Sequence, residues 1–170
     1  MIKSAAAGLL LVLSCALGTA YANQSVEVSW AAAEHYVSPD LTRDEFVHAQ
    51  KVLTREIEVL GKECLAPEDQ VTIEVVDMSL AGRLVPHGSQ GELRILNGGA
   101  DWPRMTLRFR IERAGTLVRE GQASLAAMDY LQDPRPFTTE PFIYERRMLR
   151  KWFRGTLADR GSPVTGGATQ

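Results

Sequence analysis

The sequence predicts an α+β domain with the element order β-α-β-β-β-β-α, in which an antiparallel sheet of about five strands carries two amphipathic helices on one face. Residues 104–112 alternate between polar and apolar side chains, which indicates a strand with one buried face and one wet face. Residues 42–61 and 143–153 carry apolar side chains at helical spacing and charged side chains on their other sides. Strands and helices that are each apolar on one side favour two packed layers.

The first two elements have local signals. Residues 25–30 alternate between polar and apolar side chains and predict a half-buried strand. Thr42 and Glu45 have the spacing of a capping box, in which each side chain accepts a hydrogen bond from the other residue's backbone N–H at a helix start. Apolar side chains then recur up to Gly61, and glycine is typical of a helix end. We therefore expect the first helix to run from Thr42 to Gly61.

The next strand, residues 70–76, is expected at the centre of the sheet. Its apolar residues alternate with polar ones until Val76, which breaks the alternation as expected of a strand that becomes more deeply buried toward its end. Residues 77–83 combine an acid, a hydroxyl, a glycine and an arginine, a composition typical of a turn. We expect Asp77 and Arg83 to form a clasp there, with the amides two and three residues after Asp77 donating to its carboxylate.

The following stretch predicts a hairpin. After a loop, residues 93–96 are expected to form a short strand. The strictly alternating strand at 105–111 then turns at 114–116 into a second strand, 117–128, which should pair with it in antiparallel fashion. Within that second strand, Gly121 indicates a bulge or a close approach of backbone.

A closing amphipathic helix is expected after the hairpin. Thr138 or Thr139 together with Pro141 should open it, because proline suits the first helical turn. Its polar sides are rich in arginine, and a basic amphipathic helix can bind a membrane surface or an acidic partner. Packing of its aromatic side on the sheet predicts the same pattern, and we favour that simpler interpretation.

The N-terminus has the pattern of a signal peptide. Lys3 precedes an apolar run at 5–13, and Ala20-Tyr21-Ala22 matches the small-residue motif at which signal peptidase cleaves. We expect residues 1–22 to be removed on export to the periplasm, leaving one domain at 23–160 and a disordered tail at 161–170. The alternative is a lipoprotein anchored at Cys15, through a loose lipobox. No later segment approaches the roughly 20 apolar residues of a membrane span.

The composition limits the classes of binding partner and the cysteine chemistry that we expect. The chain has 170 residues, of which 45% are hydrophobic and 24% charged, with a net charge of −2, so it has no global attraction to nucleic acid. Removal of the leader would take Cys15 with it and leave Cys64 alone, so we expect no intramolecular disulfide. Cys64 is expected to be a small core residue, since no histidine lies near it in sequence to activate a thiol.

Several short strings give a family resemblance. In chain order they are VEVSW at 26–30, DMSLAGR at 77–83, Trp102-Pro103, MDYL at 128–131 and YERRMLRKWF at 144–153. With these strings the chain resembles the bacterial domain-of-unknown-function 3016 family of small exported proteins. The resemblance implies export and a single α+β domain, and it implies no activity, substrate or catalytic residue.

The residues that could support catalysis or metal binding lack the expected spacing. His35, His48, His87 and Cys64 fall in none of the common metal-ligand motifs, so we expect neither a metal nor another cofactor. The serines do not stand in a nucleophile elbow, and no glycine-rich loop has the spacing that holds a phosphate. Three acids at predicted strand or loop ends could converge as in a glycosidase, although capping acids are common at such places. They are Asp77, Asp101 and Asp129.

Two functional hypotheses remain. The first is a non-catalytic envelope protein that binds another protein or an envelope component through the sheet or the last helix. Its candidate binding residues are Asp77, Arg83, Arg104, Arg108 and Arg110. The second is a small periplasmic hydrolase that uses Asp77, Arg83 and His87. We favour the binding protein, because an enzyme usually shows at least one catalytic motif with matched spacing.

Overall fold

The computed structural model describes residues 25–31, 41–88, 92–132 and 140–157. Several predictions concern residues outside these ranges and therefore remain predictions. They concern the leader at 1–22 with Cys15, the tail at 161–170, His35, and the opening of the last helix at Thr138 or Thr139.

The chain forms an α+β structure whose element order agrees with the prediction apart from one additional short strand. The elements are β1 (Ser25–Trp30), α1 (Arg43–Cys64), β2 (Asp69–Ser79), β3 (Arg83–Pro86), β4 (Glu92–Ile95), β5 (Arg104–Arg113), β6 (Thr116–Ala126) and α2 (Ile143–Trp152), which continues into a π-helical turn at Phe153–Leu157. None of the described helices has the length and apolar character needed to cross a membrane.

The strands divide between two sheets. The main sheet has the order β1-β2-β5-β6, so the predicted central strand is an inner strand, while β3 and β4 form a separate two-stranded ribbon. The expectation of one antiparallel sheet of five strands needs two corrections. β1 runs parallel to β2, because the long α1 crossover returns the chain in the same direction. The short strand near residues 93–96 pairs with β3 and does not join the main sheet.

Strand β2 continues past the point where the sequence predicted its end. Val75 pairs with Leu107 and Asp77 pairs with Thr106, so Val76 is the extra residue of a β-bulge. The interpretation of Val76 as a more deeply buried residue was wrong, since it is only half-buried and Met78 takes the next buried position. The predicted turn therefore begins after Ser79 instead of at Asp77.

Helix α1 starts where its capping box predicts. The hydroxyl of Thr42 accepts a hydrogen bond from the Glu45 N–H at 3.2 Å, and Glu45 Oε2 accepts from the Thr42 N–H at 3.4 Å. The predicted end was wrong, because the helix passes Gly61 and ends at Cys64. Gly61 is needed for packing instead, since a Cβ atom there would lie 2.6 Å from Cγ2 of Val26 on β1.

Both helices cover one face of the main sheet, as predicted, and we call this the inner face. Leu53 and Ile57 of α1 and Leu149 of α2 are fully buried against the inner side chains of β2 and β5. The opposite, outer face carries the polar residues of the same strands. Cys64 is half-buried and packs against this core, and burial raises the pKa of its thiol.

The hairpin between β5 and β6 matches its prediction. Ala114 and Gly115 both have positive φ, of 49° and 74°, as a two-residue type I′ turn requires. Gly121 marks a close approach, since a Cβ atom there would lie 3.3 Å from the ring of Phe109. The last helix differs from prediction: Pro141 precedes it, and it begins only at Ile143.

Candidate functional site

A polar cleft of about 810 Å³ lies at one end of the outer face of the sheet. The ends of β2 and β6, the start of β5, the β2–β3 turn and the segment at 97–101 form its walls. Three of the five predicted binding residues line it together with hydroxyl and amide side chains. The polar lining consists of Asp77, Ser79, Arg83, Asn97, Asp101, Arg104, Thr106 and Ser124.

The β-bulge at Val76 places Asp77 in this cleft. In a regular strand the residue two positions after buried Val75 would also point to the inner face. The extra residue moves Asp77 to the outer face, where it forms a cross-strand row with Thr106 and Ser124. Its Oδ1 accepts a hydrogen bond from the Met78 N–H at 2.9 Å, which leaves Oδ2 for other donors. The row thus presents one carboxylate beside two hydroxyls.

Two arginines supply the positive charge of the cleft. Arg104 stands opposite Ser79 on the outer face, diagonally across from Asp77, at a separation that long side chains can span. Arg83 is the first residue of β3 and lies across the β2–β3 turn. Neither guanidinium forms an ion pair or hydrogen bond with a described residue. Both therefore remain available to an anionic group in the cleft.

Asp101 holds one wall of the cleft in shape. Its Oδ2 accepts a hydrogen bond from the Asn97 N–H, and its carbonyl oxygen accepts one from the Gly82 N–H, each at 2.8 Å. Burial acts against its charge, but the backbone N–H groups of Asn97 and Gly99 and the nearby hydroxyl of Tyr130 outweigh burial and lower the pKa of Asp101. The carboxylate therefore stays ionised and stabilises the wall at neutral pH.

A buried polar network fixes the β2–β3 turn from behind. Glu145 of α2 is only 2% exposed and accepts a hydrogen bond from the Ala81 N–H at 2.7 Å. Arg94 donates to the carbonyl oxygens of Ala81 and Gly82 at 3.3 and 3.1 Å, and its other nitrogens bind Glu45 with two bonds of 3.0 Å. The turn that carries the cleft is thereby tied to α1, α2 and β4.

Sequence reasoning missed Glu145 and Arg94 as supports of the site. Their contacts span long sequence distances, such as the 64 residues between Ala81 and Glu145. One usable signal existed for Glu145, because it occupies the same helical line as Met148, Leu149 and Trp152. A lone acid in an apolar stripe indicates a buried acceptor with a specific donor.

The predicted clasp between Asp77 and Arg83 is not formed. β pairing continues through Ser79, so Asp77 lies in a strand and accepts from the N–H of the next residue, and not from the amides two and three residues on. Arg83 begins another strand and is exposed. The two residues share the cleft as separate wall residues.

The remaining candidate residues lie elsewhere. On the outer face, Arg108 pairs with Glu74 at 3.2 Å, and Arg110 pairs with Glu112 at 2.6 Å and with Glu120 at 3.2 Å. These arginines are 58% and 49% exposed and do not line the cleft.

The hydrolase hypothesis required a histidine beside the acid and the arginine. His87 is exposed just after β3 and does not line the cleft that contains Asp77 and Arg83. Asp77 and Asp101 share the cleft, whereas Asp129 does not line it. Within the described part of the chain, no group of three or more histidine, cysteine or acidic residues is placed to hold a metal ion.

Comparison with known proteins gives one match. Neither the curated proteins nor the solved structures include a significant match to this chain. A family model described as "Protein of unknown function (DUF3016)" matches residues 24–155, which include all the described strands and both α-helices. The chain therefore belongs to the domain-of-unknown-function 3016 family.

Proposed function

We propose that this protein is an exported, non-catalytic binding protein of the cell envelope, and that its outer-face cleft holds a cell-wall component. The observation that carries the proposal is the cleft itself. In it, Arg83 and Arg104, which have no partner among the described residues, share the lining with Asp77. A site with both charges and several hydroxyls complements a ligand that has carboxylates, amino groups and sugar hydroxyls. Muropeptides, the disaccharide-peptide units of the cell wall, have this chemistry.

The individual groups suit that ligand class. An arginine binds a carboxylate through two parallel hydrogen bonds, so Arg104 and Arg83 would each hold an acidic group of the peptide. The free Oδ2 of Asp77 would accept from an amino or hydroxyl group. Thr106 and Ser124 continue the same row and can donate to or accept from a sugar hydroxyl.

The rest of the outer face supports placing the ligand in the cleft. Arg108 and Arg110 are already paired with acids of neighbouring positions, so a ligand would have to displace those acids. Arg104, on the same strand, needs no such exchange. Of the three candidate arginines on β5, Arg104 in the cleft is therefore the one whose charge is not already paired with an acid of the described chain.

The cleft chemistry favours binding over hydrolysis. A hydrolase that uses two carboxylates needs one of them to remain protonated near neutral pH, which requires a raised pKa. Hydrogen bonding lowers the pKa of Asp101, so this carboxylate does not suit the role of the protonated acid. Asp101 also serves to hold Asn97 and the β2–β3 turn in place.

The periplasmic location is part of the proposal, and the leader pattern around Lys3 and Ala20-Tyr21-Ala22 supports it. Mass spectrometry of the protein purified from cells tests the location. We expect a chain that begins at Asn23 and appears in the periplasmic fraction. A chain that keeps residues 1–22 in the cytoplasm would contradict export, and a lipidated Cys15 would favour membrane anchoring.

Titration with soluble muropeptides tests the binding site. Isothermal titration calorimetry on the exported form should show binding that Arg104→Gln weakens by about tenfold or more, because a hydrogen bond to a charged group is lost. Asp77→Asn should weaken it less, since an acceptor oxygen remains. Arg108→Gln is the matched control on the same strand and should bind like the wild type.

Melting temperatures separate binding from folding in this experiment. Asp77 and Arg104 lie on the outer face, so their variants should melt close to the wild type. Equal affinities in wild type and Arg104→Gln would overturn the assignment of the cleft. Release of sugar or peptide fragments by the wild type, abolished in Asp77→Asn, would establish an enzyme instead.

A further inference from the structure

A second concave surface lies between the two helices. The groove has a volume of about 640 Å³ and is lined by residues of α1 and by the arginines of α2 and its π-helical end. Five of its lining residues are lysine or arginine and two are glutamate. This local excess of positive charge stands on a chain whose net charge is −2. The helices separate the groove from the cleft, because they cover the inner face of the sheet.

The floor of the groove is fixed by one buried acid. Glu56 is 7% exposed and accepts hydrogen bonds from Arg146 Nε at 2.8 Å and from Arg150 Nε at 2.6 Å. Arg146 is held further by Glu140 at 2.7 Å. The terminal nitrogens of Arg150 donate to no described residue. Its guanidinium is therefore oriented in advance and has donors free for a further anion.

The rim of the groove carries exposed positive charge. Lys51, Arg55 and Arg154 are exposed and form no ion pair with a described residue. Together with Arg150 they form a cluster that we call the basic rim. Four donors of this kind around one groove suit phosphate oxygens, which accept several charged hydrogen bonds at once.

Exposed apolar residues share the helix stripe of the basic rim. Val47, Lys51, Arg55 and Val59 recur every four residues and so lie along one side of α1. The two valines are 55% and 44% exposed, although valine is among the residues most often buried. A membrane surface offers phosphates next to apolar acyl chains, so it can bind cations and exposed apolar side chains that lie together.

We propose that the groove between α1 and α2 docks the protein on a membrane through the phosphates of anionic phospholipid headgroups. The basic rim would bind the phosphates, while Val47 and Val59 would enter the headgroup layer. The valines favour a lipid over an acidic polypeptide, because charge complementarity alone would not require them. This surface acts independently of the outer-face cleft, which would point away from the docked membrane.

Vesicle sedimentation tests this proposal. The protein is purified from cells in its native processed form. It is mixed with phosphatidylcholine vesicles that contain or lack phosphatidylglycerol. We expect sedimentation only with the anionic vesicles. Each basic side chain near such a surface contributes roughly a fivefold gain in affinity, so Arg55→Gln with Arg154→Gln should weaken binding by more than about tenfold. Val47→Ser with Val59→Ser should weaken it without any change of charge.

The control variant carries the same loss of two positive charges on the opposite side of the sheet. Arg108→Gln with Arg110→Gln should bind vesicles like the wild type. Equal losses in the control and the groove variant would overturn the proposal, as would no binding to anionic vesicles. Full competition by glycerol phosphate would reassign the groove to a soluble phosphate ester. Binding of polyglutamate without vesicle binding would reassign it to an acidic polypeptide.

Cleft and groove failures are distinguishable. Loss of muropeptide binding in Arg104→Gln with intact vesicle binding concerns the cleft alone. Loss of vesicle binding in the groove variant with intact muropeptide binding concerns the groove alone. Unchanged melting temperatures confirm that exposed positions were altered in both cases.

Discussion

Leu107 and Arg108 are neighbours on strand β5, yet Leu107 has no exposed surface while the side chain of Arg108 is 58% exposed. They belong to opposite faces of one sheet. The inner face is covered by both helices and carries the apolar core, whereas the outer face carries paired charges and the polar cleft. The difference separates stability from binding, since outer-face side chains can change without opening the core.

The largest expected effect comes from the inner face. Leu107→Ala leaves a cavity between β5 and the helices, and we expect the free energy of unfolding to fall by about 2–5 kcal/mol. Thr106→Ala, one residue away on the outer face, should lose less than about 1 kcal/mol. Urea denaturation of both variants measures the contrast. Similar losses at the two positions would show that the faces do not divide the molecule as described.

A smaller effect sharpens the comparison at Glu145, a buried ionisable residue on the helix side. Burial raises the pKa of Glu145, so the folded protein holds this proton more tightly than the unfolded chain does. The resulting stabilisation is fully present below the ordinary glutamate pKa of about 4.3 and is lost as pH rises through the folded value. Glu145→Gln keeps an acceptor for the Ala81 N–H without the titration.

Thermal melts of Glu145→Gln across this pH range check the sign. We expect the variant to lie within about 1 kcal/mol of the wild type below pH 4, because both side chains are then neutral. With rising pH the variant should gain stability relative to the wild type. A wild type that instead gains on the variant would mean that the Ala81 N–H and Arg94 overcome the effect of burial.

The smallest effect is expected on the outer face. Arg108→Gln breaks an exposed pair with Glu74, and such pairs contribute about 0–1 kcal/mol. The small loss should vanish in high salt, since screening already weakens the pair. A loss of several kcal/mol, measured by urea denaturation, would place this side of the sheet in the stable core.

Local patterns predicted the local parts of the fold. The capping box at Thr42 and Glu45 placed the helix start, and strict alternation identified β5 with its two faces. Each signal depends on residues a few positions apart, whose geometry is set by the period of a helix or strand.

The wrong predictions concern features that depend on contacts between residues far apart in the sequence. Parallel pairing of β1 with β2 depends on the direction in which α1 returns the chain. The residues of the two strands carry no information about that direction. Val76 directly follows another apolar residue, Val75, and the same two residues could form a bulge or a strand end buried on both faces. The cleft residues Asp77, Arg83 and Arg104 were identified by type, but their convergence depends on that bulge and on the distant support of Glu145.

The bulge at Val76 also determines which residues at the end of β2 point inward and which point outward. Before the bulge, the odd-numbered residues of β2 point inward. After it, the even-numbered Met78 points inward. Deleting Val76 would join Val75 directly to Asp77 and restore regular alternation, in which Asp77 still points outward and Met78 still points inward. Deletion of Val76 is therefore expected to leave the cleft residues and the core residues on their present faces. In the chain as it stands, the bulge absorbs Val76 and so keeps Asp77 in the binding site, which makes a backbone irregularity part of that site.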